Sequence, residues 1–282
     1  MIEKKELQAF ARESGADLVG VANIERFDPL PPAKHPRAIF PETRSVIVLG
    51  RRITRGSLRG VEEGANFQSY QMYGSDWLMN RFLALTTFQV AEFIEDHRWE
   101  AVPLQDLPPE TPAMGVKVRK DNPPPNVTLD LIDAAVRAGL GEIGYYGELM
   151  TPQFGARQRV QMILTDAQIE PDPIVTKEIC PRDEAVKKAC PLGAVKGEKT
   201  VDICGKRMVV AALDRGTCGR CRNGAYPNPM HRAGQPDRLA ALCIRTCMVH
   251  LEQEKRIGNL FAHEFRKREP WTVRVEEDFY KA

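Results

Sequence analysis

The chain has 282 residues, of which 43% are apolar and 28% charged, and its formal net charge is +2. That length holds one large domain or two ordinary ones around a buried core, and the near-neutral charge speaks against a dedicated nucleic-acid binder. Met1 to Glu6 is charged and leads into Leu7-Gln8-Ala9-Phe10 without the apolar core of a signal peptide, and no apolar run approaches a membrane span. A cytoplasmic protein with no membrane partner is the expectation.

Residues 2–14 are predicted to be helical, with Ile2, Leu7, Phe10 and Ala11 as the apolar stripe and Gly15 as the stop. Asp17 to Ala22 reads as a strand. Five prolines make residues 27–43 a loop, and Arg44 to Gly50 is a second strand, apolar enough to be buried on both faces. From Ser69 to His97 the residues Tyr70, Tyr73, Trp77, Leu78, Phe82, Leu85, Phe88, Val90 and Phe93 recur at roughly helical spacing. They predict a long helix with nearly all of these side chains in the core. Ala101 to Leu104 is a short strand, and residues 106–126, with six prolines, form a long loop of the kind that lines a site. A helix is expected from Thr128 to Ala138, with Thr128 as N-cap and Asp130 in its first turn. Gly139-Leu140-Gly141-Glu142-Ile143-Gly144 matches G-x-G-x-x-G, yet it follows a helix where a dinucleotide site needs a strand. It reads as a helix C-cap and a tight turn. Arg159 to Thr165 is a third strand, and Asp166 to Pro173 leads out of the body.

All seven cysteines lie between Cys180 and Cys247: Cys180-x9-Cys190-Pro191, Cys204, Cys218-x2-Cys221 and Cys243-x3-Cys247. In a reducing compartment such clustered thiols point to metal before disulfides, and the odd count agrees. A two- or three-residue gap lets two sulfurs face one pocket, and a Cys-Pro pair closing a cysteine run is a ferredoxin-type feature. Arg238 to Gln253 is expected to be a helix that presents Cys243 and Cys247 on one face, one turn apart. The division implied is a body at 1–175, an iron–sulfur segment at 176–250 and a C-terminal strap at 251–282.

Three runs carry a resemblance: Ala138 to Gly144, Leu149-Met150-Thr151-Pro152-Gln153-Phe154-Gly155-Ala156-Arg157, and Ile163-Leu164-Thr165-Asp166. With Gly15-Ala16-Asp17 and Phe40 to Val48, they make the chain resemble epoxyqueuosine reductases and reductive dehalogenases, which are cobalamin- and iron–sulfur-dependent reductases. Tyr73-Gly74-Ser75-Asp76-Trp77 sits where that family has a Tyr-x-x-Asp-Tyr-like element. The resemblance implies an α/β (α+β) fold: a nitroreductase-like sandwich body followed by a ferredoxin-like segment with two [4Fe–4S] clusters that pass electrons to a corrinoid. It further implies cofactor contacts at Gly141, Gly144, Gly147, Arg157 and Asp76, metal ligation by Cys180, Cys190, Cys204, Cys218, Cys221, Cys243 and Cys247, and a small electron donor such as a ferredoxin or flavodoxin.

Two departures qualify this. The family's first cluster motif is C-x2-C-x2-C-x3-C-P, but here the inner positions are Asp183 and Val186. Cys190, Cys204, Cys218 and Cys221 are assigned to one complete cluster. Cys180, Cys243 and Cys247 then need a fourth ligand, for which Asp183 and His250 are candidates. Epoxyqueuosine reductases also carry a proton-donating aspartate in an Asp-Ser-Ala-Pro element, and counting back from Gly139 reaches Pro125-Asn126-Val127-Thr128, which has no acid. Tyr145, Tyr146 and Asp133 are the remaining proton-donor candidates, and Arg157 or Arg159 could clamp an anionic group. The leading expectation is an oxidoreductase that passes single electrons from one or two clusters to a corrinoid or to a small substrate. The alternatives are a non-catalytic electron carrier that has lost the corrinoid site, and structural zinc held by Cys218, Cys221, Cys243 and Cys247.

Overall fold

The computed structural model describes residues 2–105, 116–120, 127–228 and 234–274. Helix α1, Lys4–Glu13, is followed by strands β1, Leu18–Asn23, and β2, Ser45–Arg52. The expected long helix is a continuous helical run from Gln68 that ends in α2, Ala84–Asp96. Its first half is wound as π-helix over Gln71–Asp76 and Leu78–Leu83. After β3, Ala101–Leu104, come α3, Leu131–Arg137, the two-residue strands β4, Glu142–Ile143, and β5, Leu149–Met150, and then β6, Gln158–Thr165. The cysteine segment adds a hairpin, β7, Val195–Ile203, with β8, Lys206–Leu213, and ends in α4, Leu242–Gln253. The proline-rich stretches 106–115 and 121–126 of the expected loop, including Pro125 and Asn126, lie outside the described residues.

The four-stranded sheet has the order β1-β2-β6-β3 and is antiparallel throughout. Side chains alternate between its two faces. Val21, Ile47, Leu49 and Ile163 pack under α1 and α2 against Leu7, Ala11, Val90 and Ile94. Ala22, Val46, Val48, Met162 and Leu164 pack on the opposite face against Leu131, Ala134 and Ala135 of α3. Helices thus cover both faces, and β2 is buried through six successive residues, Ser45 to Gly50. β3 lies at the sheet edge, which accommodates Pro103, a residue with no N–H to donate to a ladder. No helix among the described residues is long and apolar enough to cross a membrane.

Three expectations are corrected. The helical run does not bury all its large apolar side chains: Tyr70 and Leu78 are buried, while Tyr73, Phe82, Leu85 and Phe88 stay exposed. Widening to π-helix rotates the apolar positions off a single stripe, so a 3.6-residue count misassigns the face. The cap of α3 is Asp130, whose Oδ1 accepts from Ile132 N at 2.9 Å and Asp133 N at 3.0 Å, in place of Thr128. The β7–β8 hairpin was not anticipated within the iron–sulfur segment.

A further core holds the cysteine segment against the body. It combines Ile53, Tyr70, Leu78, Tyr145, Tyr146 and Met150 with Ile179, Cys180, Leu239, Ile244 and Cys247, and with Ile257 and Phe265 of the strap. The strap is anchored by arginines: Arg59 lies 4.7 Å from the Phe265 ring, Arg266 Nε is 2.6 Å from Glu62 Oε1, and Arg245 pairs with the same carboxylate. Arg245 and Glu62 are both buried, so the pair compensates charges that neither could carry alone.

Candidate metal centre

None of the seven cysteines is in a disulfide. Four of them face one another. Cys190 follows the short helix Glu184–Lys187, which Asp183 caps through Oδ1 and Val186 N at 2.8 Å. Cys218 lies in the short helix Arg215–Gly219, capped by Asp214. Cys221 follows it, and Cys243 is in the first turn of α4. Burial pushes the Cys243 thiol up, and the negative fields of Cys190, Cys221 and Cys218 raise it further against the pull of Arg238. Cys221 is likewise raised, by burial first and then by Cys218 and Cys190.

Each of three sulfurs also receives a donor. Ala194 N donates to Cys190 Sγ at 3.4 Å, Arg238 Nη1 to Cys218 Sγ at 3.6 Å, and Asn223 Nδ2 to Cys221 Sγ at 4.0 Å. Four facing thiols, three of them supplied with N–H donors, are a donor set of the kind that holds a [4Fe–4S] cluster, whose iron takes them as thiolates. The residues present therefore fit one such cluster. A tetrahedral zinc site would draw the sulfurs to about 3.8 Å apart, given zinc–sulfur bonds of about 2.3 Å. Among the described residues, however, the one group whose potential ligand atoms all lie within 4.8 Å is Asp183, His250 and Glu254, without a cysteine.

The structure sets Cys204 apart from this group. Cys204 is exposed at the β7–β8 turn with φ +52°. Its neighbours there are Arg137, with Nη1 at 3.8 Å from Sγ, and the Arg26 carbonyl at 4.0 Å. The hairpin carries it away from the other thiols, and Cys243 takes the fourth place. Cys247 instead faces Cys180: both are buried and their thiols hydrogen-bond each other. The zinc quartet read from the sequence is split accordingly. A second [4Fe–4S] cluster does not fit at Cys180 and Cys247. Only two thiols are present, and Val186, fully buried in the same core, puts hydrocarbon where the motif calls for a ligand.

Other expected site residues are placed as follows. Tyr145 and Tyr146 adjoin the cysteine segment, but their hydroxyls are engaged. Tyr145 donates to Glu198 Oε1 at 3.1 Å, and Tyr146 donates to Val186 O at 2.7 Å. Burial raises both phenols, Glu198 adding to the effect at Tyr145, and Cys243 and Cys190 at Tyr146. Asp133 is paired with Arg137, one turn along α3, on the side of the molecule where Cys204 lies. Asp76 accepts from Asn80 Nδ2 at 2.8 Å. Arg157 is fully buried and holds the strap, donating from Nη2 to Asn259 Oδ1 at 2.9 Å and from Nη1 to Ile53 O at 3.2 Å.

The glycine turn serves its own hairpin. A Cβ at Gly141 would lie 1.9 Å from Met150 O, and one at Gly144 would lie 2.7 Å from Met150 Cε. Gly147, with φ +90°, alone of the three faces open space. Gly141 and Gly144 pack against Met150, Arg157 against Asn259 and Asp76 against Asn80.

What the sequence reading missed is a buried polar network behind the thiols. Asp237 accepts from Tyr70 Oη at 3.0 Å and Ser75 Oγ at 2.8 Å, and pairs with Arg159. Arg159 does clamp an anion, and the anion is the chain's own Asp237. The next residue, Arg238, bridges Cys218 to Glu148, 3.3 Å from its Nη2. The same helical run that supplies Tyr70 and Ser75 borders a cavity of about 520 Å³, lined by Arg51, Arg52, Thr54, Ser57, Tyr73 and Leu78 among others. Leu78 belongs also to the core against which Cys190 and Cys243 pack.

No family model matches the chain. Tetrachloroethene reductive dehalogenases from Desulfitobacterium hafniense and Dehalobacter restrictus are 38% identical to it over 71 residues, which is 24% of this chain and 13% of theirs. An epoxyqueuosine reductase from Streptococcus thermophilus superposes with a TM-score of 0.52 at 17% identity, over 79% of this chain and 57% of that one. A reductive dehalogenase whose structure suggests a mechanism for B12-dependent dehalogenation superposes with a TM-score of 0.53 at 17% identity, over 89% of this chain and 34% of that one. The chain has the fold of these reductases. It spans little more than half of the epoxyqueuosine reductase and a third of the dehalogenase.

The partition predicts that Cys243→Ser, in protein purified without oxygen, loses the iron-bound visible absorbance, while Cys204→Ser keeps it. Equal losses would contradict the assignment. A second prediction concerns acid. Burial alone would raise Asp237, but Arg159, Ser75 and Leu239 N together hold it below the usual carboxylate range. The stabilisation is complete at neutral pH and is lost as pH falls below about 4. Asp237→Asn is expected to cost about 3 kcal/mol at pH 7 by leaving Arg159 unpaired, and to flatten the acid limb of stability in urea titrations.

Proposed function

We propose that this chain is an iron–sulfur oxidoreductase with one [4Fe–4S] centre on Cys190, Cys218, Cys221 and Cys243, delivering single electrons to a small organic acceptor in the 520 Å³ cavity. The observation that carries the reading is the convergence of those four thiols against a core shared with the cavity wall. A cluster held there supplies one-electron transfer. The chain's own residues set its surroundings: Arg238 places positive charge beside Cys218, and Ala194 and Asn223 donate to sulfur. Hydrogen bonds and charge of this kind favour the reduced, more negative state.

A cavity of that volume encloses a molecule of drug size. Arg51 in its lining favours an electron-rich or anionic acceptor, Arg52 being partly offset by Asp17 at 3.6 Å, and Tyr73 offers a hydroxyl. The fold supports a reductase reading, and the sequence relatives are named for reduction of tetrachloroethene. The electrons go to that acceptor without a corrinoid, since Arg157 donates to Asn259 and Gly141 and Gly144 pack against Met150. The electron donor belongs to the ferredoxin or flavodoxin class. The competing reading is a carrier that passes electrons at the protein surface, and it draws on the same filled glycine turn.

The two are separated by rapid mixing of dithionite-reduced protein with a panel of small haloalkenes and epoxides, tetrachloroethene included. At least one member is expected to restore the oxidised cluster spectrum, more slowly in Arg51→Gln and Tyr73→Ala although their iron content is unchanged. Reoxidation that is blind to both substitutions, or absent across the panel, would favour the carrier.

A further inference from the structure

Helix α4 carries a stripe of ligand-type residues. Cys243, Cys247 and His250, then Glu254 at its C-cap, follow one another at intervals of four, three and four residues, the spacing of one helical face. Cys243 belongs to the thiolate centre and Cys247 to the buried pair with Cys180. His250 and Glu254 continue the stripe toward solvent and meet Asp183, which the cluster motif would have as cysteine. His250 Nδ1 is 2.9 Å from Asp183 Oδ2, and the donor atoms of Asp183, His250 and Glu254 all lie within 4.8 Å of one another. Asp183 and His250 are partly buried, and Glu254 is exposed.

We propose that Asp183, His250 and Glu254 bind one divalent cation of the zinc class, a mononuclear site standing where the second cluster does not fit. Two carboxylates and one neutral imidazole match the charge of a divalent ion, and the imidazole nitrogen selects a borderline ion over magnesium or calcium. Asp183 Oδ1 accepts from Val186 N, while Oδ2 and His250 Nδ1 meet in a hydrogen bond that a cation between them would replace. One competitor is present: Arg256 Nη1 lies 3.4 Å from Glu254 Oε2, its other arm donating to Glu178 O at 3.1 Å. That exposed pair is weak, and a bound cation displaces it.

The site stands apart from the proposed redox role, since zinc reports one and iron with sulfide the other in the same sample. Protein isolated without oxygen with its cluster intact is dialysed against zinc chloride and its metals are counted. Wild type is expected to retain one zinc per chain. His250→Ala and Glu254→Gln weaken binding by more than about tenfold, with the cluster spectrum unchanged. Arg256→Ala tightens binding by removing the competitor. Equal zinc retention in wild type and His250→Ala would overturn the site. So would zinc that disappears only in Cys180→Ser, since it would then be held by the thiol pair.

Discussion

The ion pair between Asp237 and Arg159 holds the cysteine segment to the sheet. Arg159 projects from the central strand β6, and Asp237 comes from the loop between the last two cysteine pairs. Tyr70 and Ser75 complete the cage from the π-helical run, so three distant parts of the chain meet on one carboxylate. A buried pair of this kind adds little net stability over hydrocarbon, because both charges leave water. Its value here is register. The cysteine segment consists of short helices, turns, one hairpin and α4, and its apolar residues such as Ile179, Leu239 and Ile244 pack on the body without fixing which way a polar side chain points. With Asp237 locked, Arg238 must point the other way, to Cys218 and Glu148.

That arrangement explains how one short stretch serves both structure and chemistry. Asp237 faces the body and is held charged by Arg159. Arg238 faces sulfur, donating to Cys218 and opposing in part the burial that raises the Cys243 thiol. The helical run opposite is widened into π-helix where Gly74 and Ser75 approach the network, and Gly74 has room for no side chain beside Tyr70. The widening also turns Tyr73 outward to the cavity. Packing, charge and cavity shape are therefore set by the same dozen residues between Tyr70 and Leu78 and around Asp237.

Much of this was legible in the sequence. The strands β1, β2, β3 and β6 stand out because β-branched and aliphatic runs are bounded by glycine and proline, and the thiols stand out because cysteine is confined to one segment. The glycine run reads correctly as a C-cap and turn because it follows a helix. Other features were hidden for physical reasons. Cys204 looks equivalent to its neighbours in spacing, but spacing says nothing of a hairpin that moves it across the molecule. The outward Leu85 and Phe88 lie in the helix just after the π-wound stretch, whose extra width shifts the buried face and leaves no mark in a helical count. Asp237 and Arg238 appear as two ordinary charges in a loop. Only the adjacency of opposite signs between two cysteine pairs hinted that one faces inward to charge and the other to sulfur.

The second centre shows how far a shared fold constrains chemistry. Body and cysteine segment superpose on larger reductases, yet Asp183 and Val186 occupy positions where thiolates would be needed, and Val186 closes the space with hydrocarbon. One cluster per chain is the central claim. Its most direct test is the iron and acid-labile sulfide content of protein purified without oxygen. The account predicts about four of each per chain; about eight of each, or none, would contradict it.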